Sequence, residues 1–247
     1  RQSRGARRTL QRLDSLGVDH IGTYESDRSL ERFHPFVTNI KGIRIAFLNY
    51  TYGTNGFTPT PPLIVNYIDR ARIKHDIRRA RELQAELIVA CLHWGNEYQL
   101  LPNATQKELA DLLVDEGGQL VIGAHPHVIQ PMELRCDKQG NPQALVVYSL
   151  GNFISNMKTR DTVGGALVKV TVARDPINRV VLKSAQYTLV YTRRPVTAAD
   201  PFVVVPAEQE VQAHPQRPHL KGFLQKAREI FSRYNRGVKE YFIKTRD

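Results

Sequence analysis

The sequence is poor in cysteine and has no long apolar run. Two cysteines, Cys91 and Cys136, are too few for a disulfide framework and do not form a CxxC metal motif. Because each lies at or near the end of an apolar strand, we expect buried free thiols. No apolar stretch is long enough to cross a bilayer, which excludes an encoded membrane span.

Acidic residues are also in deficit. The 247 residues carry 35 Lys and Arg against 24 Asp and Glu, a formal net charge of +11. The basic residues cluster at 1–12, 70–81 and 221–244, each with a helical pattern, so solvated helix faces are the simpler explanation and a polyanion partner is the alternative. No nucleic-acid reading module accompanies the charge, and we do not expect a nucleic-acid partner.

The first residues lack an initiator Met, a continuous apolar core and a small-residue cleavage site. We therefore expect the sequence to be a piece of a longer protein. Any export signal or membrane anchor would lie upstream, so a membrane could be a partner only through that missing part. The length suits one main domain.

Strand and helix patterns alternate in the first half. We predict a helix over residues 5–16 with Gly17 as its cap, a strand over 18–21, and a hairpin around Lys41-Gly42. Asp69 is a predicted N-cap, and Thr105 with Glu108 a predicted capping box. The apolar strands LIVACL and QLVIG follow these helices. Strand, helix, strand units predict a largely parallel sheet whose carboxyl ends gather catalytic groups.

The second half is typical of an antiparallel meander, with strands PMELRC, ALVVYSL, GALVKVTVAR and VVLKSAQYTLVYT. Residues 193–218 contain five Pro and predict an irregular connection. An amphipathic helix is predicted over 219–234. The expected organisation is a domain over 1–192, the connection over 193–218, and a C-terminal helical segment over 219–247 that packs on the domain.

Three histidines follow the two apolar strands. LIVACL leads into His93, and QLVIG leads into His125-Pro126-His127. If the strands are parallel neighbours, the three imidazoles meet at one sheet edge and can bind Mn, Fe or Zn. Pro126 should hold its segment extended, so both flanking histidines serve one centre only if the loop curves. An isolated turn histidine is more often structural, and we interpret the five other histidines as surface or helix residues.

Four further side chains are candidates for the same site. Glu97 is a possible ligand, second-shell partner or acid/base group, with a solvated loop carboxylate as the equal alternative. Trp94 and Tyr98 either pack the loop or form walls of a substrate cleft. Asn152, at the end of ALVVYSL, either projects its amide toward the site or forms a turn.

The motifs HWGNEY, GAHPHVIQ and VVYSLGNF, in this order and preceded by IRIAFLNYTYG, resemble the bacterial capsule synthesis (CapA-type) proteins associated with poly-gamma-glutamate. That family is related to the calcineurin-like metallophosphoesterases. The resemblance implies a metallophosphatase-like α/β/β/α sandwich with mixed sheets. It also implies two divalent ions in the full-length protein, with His93 as the loop histidine and His125 and His127 as the GHxH-type pair. The implied chemistry is metal-assisted hydrolysis.

The sequence departs from this family in lacking the N-terminal strand with its GD motif and the Asn-His motif. We therefore expect weak metal binding from the printed chain and leave its activity open. The favoured hypothesis is a capsule-associated protein with a hydrolase-type site for a phosphoester or amide bond of an anionic polymer. The alternative is a non-catalytic binding or export component for such a polymer. The resemblance implies a location in the cell envelope or outside a bacterial membrane; the oligomeric state stays open.

Overall fold

The computed structural model describes residues 2–243, so residues 244–247 of the predicted C-terminal segment lie outside the described part. The chain forms two compact units. Of the described residues, the first contains 2–94 together with Leu109–Val121. The second contains Gly95–Glu108 together with 122–243.

The first unit is built from short helices and a sheet. Its elements are α1 (Gln2–Ser15), β1 (Thr23–Tyr24), α2 (Asp27–Phe33), β2 (Phe36–Ile40), β3 (Ile43–Thr51), β4 (Ile64–Val65), α3 (Arg70–Glu82) and β5 (Leu87–His93). Two elements are shared between the units, α4 (Ala104–Asp115) and β6 (Leu120–Ala124). In the sheet of this unit the strand order is β2, β3, β5 and then the first residues of β6.

The predicted hairpin around Lys41-Gly42 is confirmed. β2 pairs antiparallel with β3, and the two turn residues take φ values of 51° and 83°. Positive φ at both central residues is the geometry of a tight hairpin turn. β3 then pairs in parallel with β5, so Thr51 lies opposite His93 at the carboxyl ends of both strands.

The structure confirms one of the predicted helix starts and contradicts one predicted strand. The Asp69 carboxylate accepts from the Arg72 N–H at 2.6 Å, which confirms it as the N-cap of α3. The predicted strand at residues 18–21 is wrong, because the only strand there is Thr23–Tyr24, which pairs with β4.

The Thr105–Glu108 capping box is also wrong. Asn103 and Gln106 instead exchange side-chain to backbone hydrogen bonds at 2.9 and 3.1 Å, so the box lies two residues earlier. Gln106 is almost fully buried.

The second unit holds the meander. Its elements are β7 (Met132–Cys136), β8 (Pro142–Val147), a 3-10 helix (Arg160–Thr162), β9 (Gly164–Arg174), β10 (Val180–Arg193), β11 (Val203–Pro206), α5 (Ala207–Ala213), α6 (Pro218–Tyr234) and β12 (Lys239–Glu240). The end of β6 is followed in its sheet by β8 and then β7. β10 pairs with β9, β11 and β12 in a separate sheet.

Three layers make up this second unit. β8 packs against β10, and α6 packs against β10, α5 and the 3-10 helix. Helix α6 buries one apolar face, formed by Leu220, Phe223, Leu224, Ala227, Ile230 and Phe231. The predicted irregular connection at residues 193–218 is corrected, because it contains β11 and α5. Strand pairing with β10 satisfies the backbone that the prolines had seemed to exclude from regular structure.

The predicted α/β class with mixed sheets is confirmed by the parallel pair β3–β5 and the antiparallel pairs β7–β8 and β9–β10. The expectation of two buried thiols is wrong for Cys136, which is exposed, while Cys91 is half-buried. Burial raises the pKa of the Cys91 thiol. No helix between residues 2 and 243 combines the length and apolar composition that a bilayer crossing requires.

A buried polar cluster in the first unit contains His34, which the sequence had placed at the surface. That prediction is wrong: the His34 side chain is fully buried, with Nε2 2.7 Å from Asp76 Oδ2 and Nδ1 3.0 Å from the Tyr24 hydroxyl. Tyr50 donates to Asp76 at 2.8 Å, and Arg72 Nε donates at 2.9 Å. Burial alone would raise the pKa of Asp76, but the hydrogen bond and charge of His34, with the other donors, lower it to about 2.

This cluster predicts how the stability of the fold depends on pH. Because the pKa of Asp76 falls from 3.8 to about 2 on folding, its carboxylate stabilises the fold above pH 4, and that contribution is lost as pH falls through 2. Asp76→Asn should lower the free energy of unfolding at pH 7 by about 2 kcal/mol or more.

Urea unfolding at stepped pH measures this difference. The gap between wild type and Asp76→Asn should shrink between pH 4 and pH 2, while exposed Asp19→Asn should match wild type throughout. A gap of equal size at all pH values would contradict the ionised, buried carboxylate.

Candidate functional site

The histidine loop follows β6 and does not run extended. His125 has a φ of 105° and His127 a φ of 60°, so both occupy the left-handed half of conformational space. The predicted extended segment is therefore wrong. The loop curves, and the two imidazole ring centroids lie 6.2 Å apart. A non-glycine residue with such a φ costs about 1–3 kcal/mol and persists only where surrounding contacts hold it.

Those contacts come from the segment after β8 and from the loop before α4. The buried Ser149 hydroxyl donates to the Val128 carbonyl at 2.8 Å, and the Gln130 N–H donates to the Ser149 carbonyl at 3.0 Å. The Tyr98 N–H donates to the Pro126 carbonyl at 2.8 Å. Hydrogen bonds to two other segments therefore fix the loop. These tertiary contacts override the preference for extended backbone at the residue before Pro126.

Asn152 orients the ring of His127. Its Nδ2 donates to the Thr162 carbonyl at 2.9 Å and lies 3.4 Å from the Met157 sulfur. The Oδ1 atom is left to accept, and it lies 3.0 Å from His127 Nδ1. In the neutral ring the proton therefore sits on Nδ1, and Nε2 presents its lone pair. Asn152 therefore orients the His127 ring, and its role in a functional site stays a prediction.

Two glycines hold Asn152 in place. The Asn152 N–H donates to the Gly164 carbonyl at 3.1 Å. A Cβ atom on Gly165 would lie 2.7 Å from the Asn152 carbonyl oxygen and 2.5 Å from that of Leu150, closer than real contacts allow. The absence of a side chain at Gly165 therefore lets β9 approach the Asn152 loop.

Glu97 and Tyr98 lie on the loop before α4 and reach the same ring. Glu97 Oε1 lies 3.9 Å from His127 Nε2, and the Tyr98 ring stacks on the His127 ring with centroids 6.2 Å apart. The loop is held by buried amides: Gln106 Nε2 donates to Gln130 Oε1 at 2.8 Å, and Gln130 Nε2 donates to the Gln99 and Leu101 carbonyls. Sequence reasoning missed both glutamines.

The electrostatics of the loop favour neutral histidine. Burial lowers the pKa of His125, Glu97 raises it, and the proximity of His127 lowers it further. The net direction is downward, so His125 is neutral at pH 7, which is the form that binds metals. Asn152 is buried, whereas the Glu97 and His127 side chains are both partly open to solvent.

His93 and Trp94 belong to the first unit. The His93 ring stacks on Tyr52 with centroids 5.7 Å apart, and the Tyr52 N–H donates to the His93 carbonyl at 2.9 Å. Trp94 is 1% exposed, which agrees with loop packing rather than with a cleft wall. The joint cluster of His93 with His125 and His127 stays a prediction.

A cavity of about 380 Å³ is lined by residues that contact the His127–Asn152 pair. Tyr98, Val128, Met157 and Thr162 form much of its wall, and Lys158, Thr159 and Asp161 complete it. Tyr98 stacks on His127, while Met157 and Thr162 contact the Asn152 amide. A ligand in this cavity would therefore contact the Tyr98 ring that stacks on His127.

The donor set of the second unit fits part of a metal site. Ligand bonds of about 2.0–2.2 Å place two ligands of one ion at most about 4.4 Å apart. The 3.9 Å between His127 Nε2 and Glu97 Oε1 is too long for a hydrogen bond but falls within that span. Over residues 2–243, however, no group of three or more His, Cys, Asp or Glu side chains is arranged to hold an ion.

The orientation of Asn152 leads to a test on the His127 ring. Asn152→Ala removes the acceptor for the Nδ1 proton, so the neutral ring should shift toward the tautomer that carries its proton on Nε2. Nitrogen-15 NMR of the histidine side chains reads this directly.

Wild type should show a protonated Nδ1 at His127. Exposed Asn156, which is four residues away, supplies the matched control Asn156→Ala, and this variant should retain the wild-type tautomer. A wild-type ring already protonated on Nε2 would overturn the assignment of the amide.

The sequence is similar to known proteins of capsule biosynthesis. The chain is 28% identical over 178 residues to the Capsule biosynthesis protein CapA of Bacillus anthracis, which covers 68% of this chain and 40% of that protein. It is 27% identical over 186 residues to the PGA biosynthesis protein CapA of Bacillus subtilis (strain 168), with coverage of 71% and 44%. The chain thus spans less than half the length of these relatives.

Two solved nucleotidases have a distant structural likeness to the chain. The NAD nucleotidase NadN of Haemophilus influenzae gives a TM-score of 0.43 at 9% identity, covering 92% of this chain and 43% of that one. A putative 5'-nucleotidase of Staphylococcus aureus gives 0.44 at 16% identity, covering 81% and 36%. TM-scores below 0.5 mark only a remote resemblance.

The family itself is settled by sequence. Residues 1–157 match the family described as Bacterial capsule synthesis protein PGA_cap, and the match includes every predicted site residue. Because it covers well over half of the 247 residues, the chain belongs to the bacterial capsule synthesis protein (PGA_cap) family.

Proposed function

We propose that the protein acts in capsule or poly-gamma-glutamate synthesis through a metal-dependent hydrolase-type site, which cleaves a phosphoester or amide bond of an anionic polymer. The observation that carries the proposal is the His127 ring, whose Nδ1 is held by Asn152 while Nε2 faces Glu97 at 3.9 Å. A carbonyl oxygen on one imidazole nitrogen and an open lone pair on the other is the usual setting of a metal-binding histidine.

His127 and Glu97 would hold the ion, with His125 and His93 as further ligands. The family resemblance suggests two divalent ions, Mn, Fe or Zn. A bound divalent ion lowers the pKa of its water and stabilises negative charge on the reacting oxygen.

The residues of the chain have separate tasks in this proposal. Glu97 is exposed enough to exchange a proton with solvent and close enough to His127 to bind or relay one, so it serves as ligand or acid/base group. Tyr98 covers one face of His127 and lines the adjacent cavity, which suits a substrate wall. Asn152 positions the His127 ring and does not take part in the reaction itself.

The names of the relatives support the cellular setting. One is named a capsule biosynthesis protein and the other a PGA biosynthesis protein. We therefore infer action at the cell envelope or on the extracellular side of the membrane, with an anionic polymer or a phosphoester as the substrate.

A second candidate is a non-catalytic component that binds or exports the polymer. Two observations favour it: the net charge of +11, and the lack of a complete set of three ligands over residues 2–243. In that case the charge alone holds the polyanion, and its binding weakens as salt screens the charges.

Metal titration tests the first candidate. Calorimetry with Mn²⁺ or Zn²⁺ should show binding to the wild-type chain that weakens about tenfold or more in His127→Ala and in Glu97→Gln, because each change removes a ligand. His20→Ala, in the first unit, is the matched histidine control and should bind as wild type does.

Two results would sink the metal site. One is wild-type protein that binds no divalent ion. The other is His127→Ala with unchanged affinity.

A chelator separates the two candidate functions. If the metal site is catalytic, ethylenediaminetetraacetate should abolish hydrolysis of the polymer while leaving its salt-dependent binding in place. Polymer shortening that continues after complete metal removal would refute the hydrolase. Chelator-insensitive binding with no shortening under any metal would establish the second candidate instead.

A further inference from the structure

A second concave surface of the second unit is strongly basic. This basic cleft, of about 560 Å³, is lined by the cationic side chains of Lys158, Arg193, Arg194 and Arg217, together with His219. None of the described residues that line it carries a carboxylate. Asp161, two residues before the lining residue Val163, is paired with Arg160. Asp200, four residues after the lining residue Val196, accepts from the N–H groups of Val196 and Thr197.

Two of the arginines are held in position by a buried carboxylate. The buried Glu210 accepts from Arg193 Nε at 3.1 Å and from Arg217 Nη1 at 3.0 Å. Burial alone would raise the pKa of Glu210, but the hydrogen bond and charge of Arg193 lower it, so Glu210 is ionised. One carboxylate neutralises one of the two guanidinium charges and holds both groups in position. Each guanidinium has five N–H groups, so donors remain for a ligand.

The other two cations are uncompensated. Within residues 2–243, neither Lys158 nor Arg194 is within ion-pair distance of a carboxylate. Cations that outnumber the carboxylates around one concavity repel each other and raise the local concentration of anions. Arginine forks match carboxylate oxygens in geometry as well as in charge.

Lys158 connects this cleft to the candidate site, because it lines both the basic cleft and the cavity beside His127. The cavity has an apolar wall formed by Val128 and Met157 together with the ring of Tyr98. Its one carboxylate, Asp161, is already paired with Arg160 Nε and Nη2 at 2.7 and 2.8 Å. The apolar cavity and the basic cleft therefore share Lys158, and the cavity reaches His127 through the stacked ring of Tyr98.

We propose that the basic cleft is a binding subsite for carboxylate groups of an acidic chain, whose aliphatic part lies in the apolar cavity beside His127. Alternating apolar and cationic surfaces fit a ligand that alternates methylene groups with carboxylates. A phosphate chain has no apolar spacer for the Val128 and Met157 wall. The proposal rests on the proposed function only in taking the histidine loop as the place where the chain is acted on.

Charge reversal at the two uncompensated cations tests the subsite. Fluorescence anisotropy with a labelled gamma-linked glutamate oligomer should show about tenfold or weaker binding to Lys158→Glu/Arg194→Glu than to wild type. Arg193 and Arg217 are left intact, so the support from Glu210 persists. Thermal unfolding verifies that the variant is folded.

The matched control is Lys138→Glu/Lys183→Glu, which changes the net charge by the same amount at residues outside the cleft. It should bind the oligomer within about twofold of wild type, because net charge alone acts weakly under physiological screening. Equal losses in the two double variants, or no loss in either, would overturn the subsite.

Two further binding measurements distinguish a carboxylate subsite from general anion binding and from the metal site. Polyphosphate of the same charge should compete poorly, and competition as strong as that of the glutamate oligomer would overturn the carboxylate-chain assignment. Lys158→Glu/Arg194→Glu should keep wild-type affinity for Mn²⁺. If the wild type binds the oligomer but no metal, the hydrolase proposal fails while the subsite stands. If the wild type binds metal but its affinity for the oligomer does not change on substitution of Lys158 and Arg194, the subsite fails while the metal site stands.

Discussion

The candidate site depends on the fixed orientation of one amide group. Asn152 donates from Nδ2 to the Thr162 carbonyl, and this leaves Oδ1 facing His127 Nδ1. The direction of the amide decides which imidazole nitrogen presents its lone pair, and so whether the ring can bind an ion on the side of Glu97. Gly165 makes this arrangement possible, because any side chain there would collide with the Asn152 carbonyl.

A strained loop is held by rigid, hydrogen-bonded surroundings. His125 and His127 have positive φ, and the loop is secured from outside by the hydroxyl and carbonyl groups of Ser149 and by the N–H group of Tyr98. The first unit uses buried polar groups differently. There His34 and Asp76 form a closed network with two tyrosines, in which the donors of His34, Tyr50 and Arg72 converge on one carboxylate and stabilise the fold.

Much of the secondary structure could be predicted because its signals are local. Lys41-Gly42 needs only a turn that accepts positive φ, and Asp69 needs only a free N–H three residues ahead. The capping box could have been found too, since Asn103 and Gln106 have the required spacing. Thr105 and Glu108 have the same spacing, and the sequence does not say which pair tertiary packing will choose.

Long-range contacts explain what the sequence did not predict. The burial of His34 depends on Asp76, 42 residues away, and the curved histidine loop depends on Ser149 and Tyr98. Pro126 supplies a local preference that these contacts override. Residues 193–218 became a strand and a helix because β10 and α6 offered partners. The basic cleft likewise joins segments far apart in sequence, so its cations gave only a diffuse charge signal.

In the proposed site His127 binds a divalent ion through Nε2, with Asn152 on the opposite nitrogen. Anomalous diffraction from crystals grown with Mn²⁺ tests it most directly. We expect an anomalous peak about 2.0–2.3 Å from His127 Nε2, on the side of Glu97, with Asn152 still bound to Nδ1. A peak at Nδ1, or fully occupied manganese sites only away from His127, would contradict it.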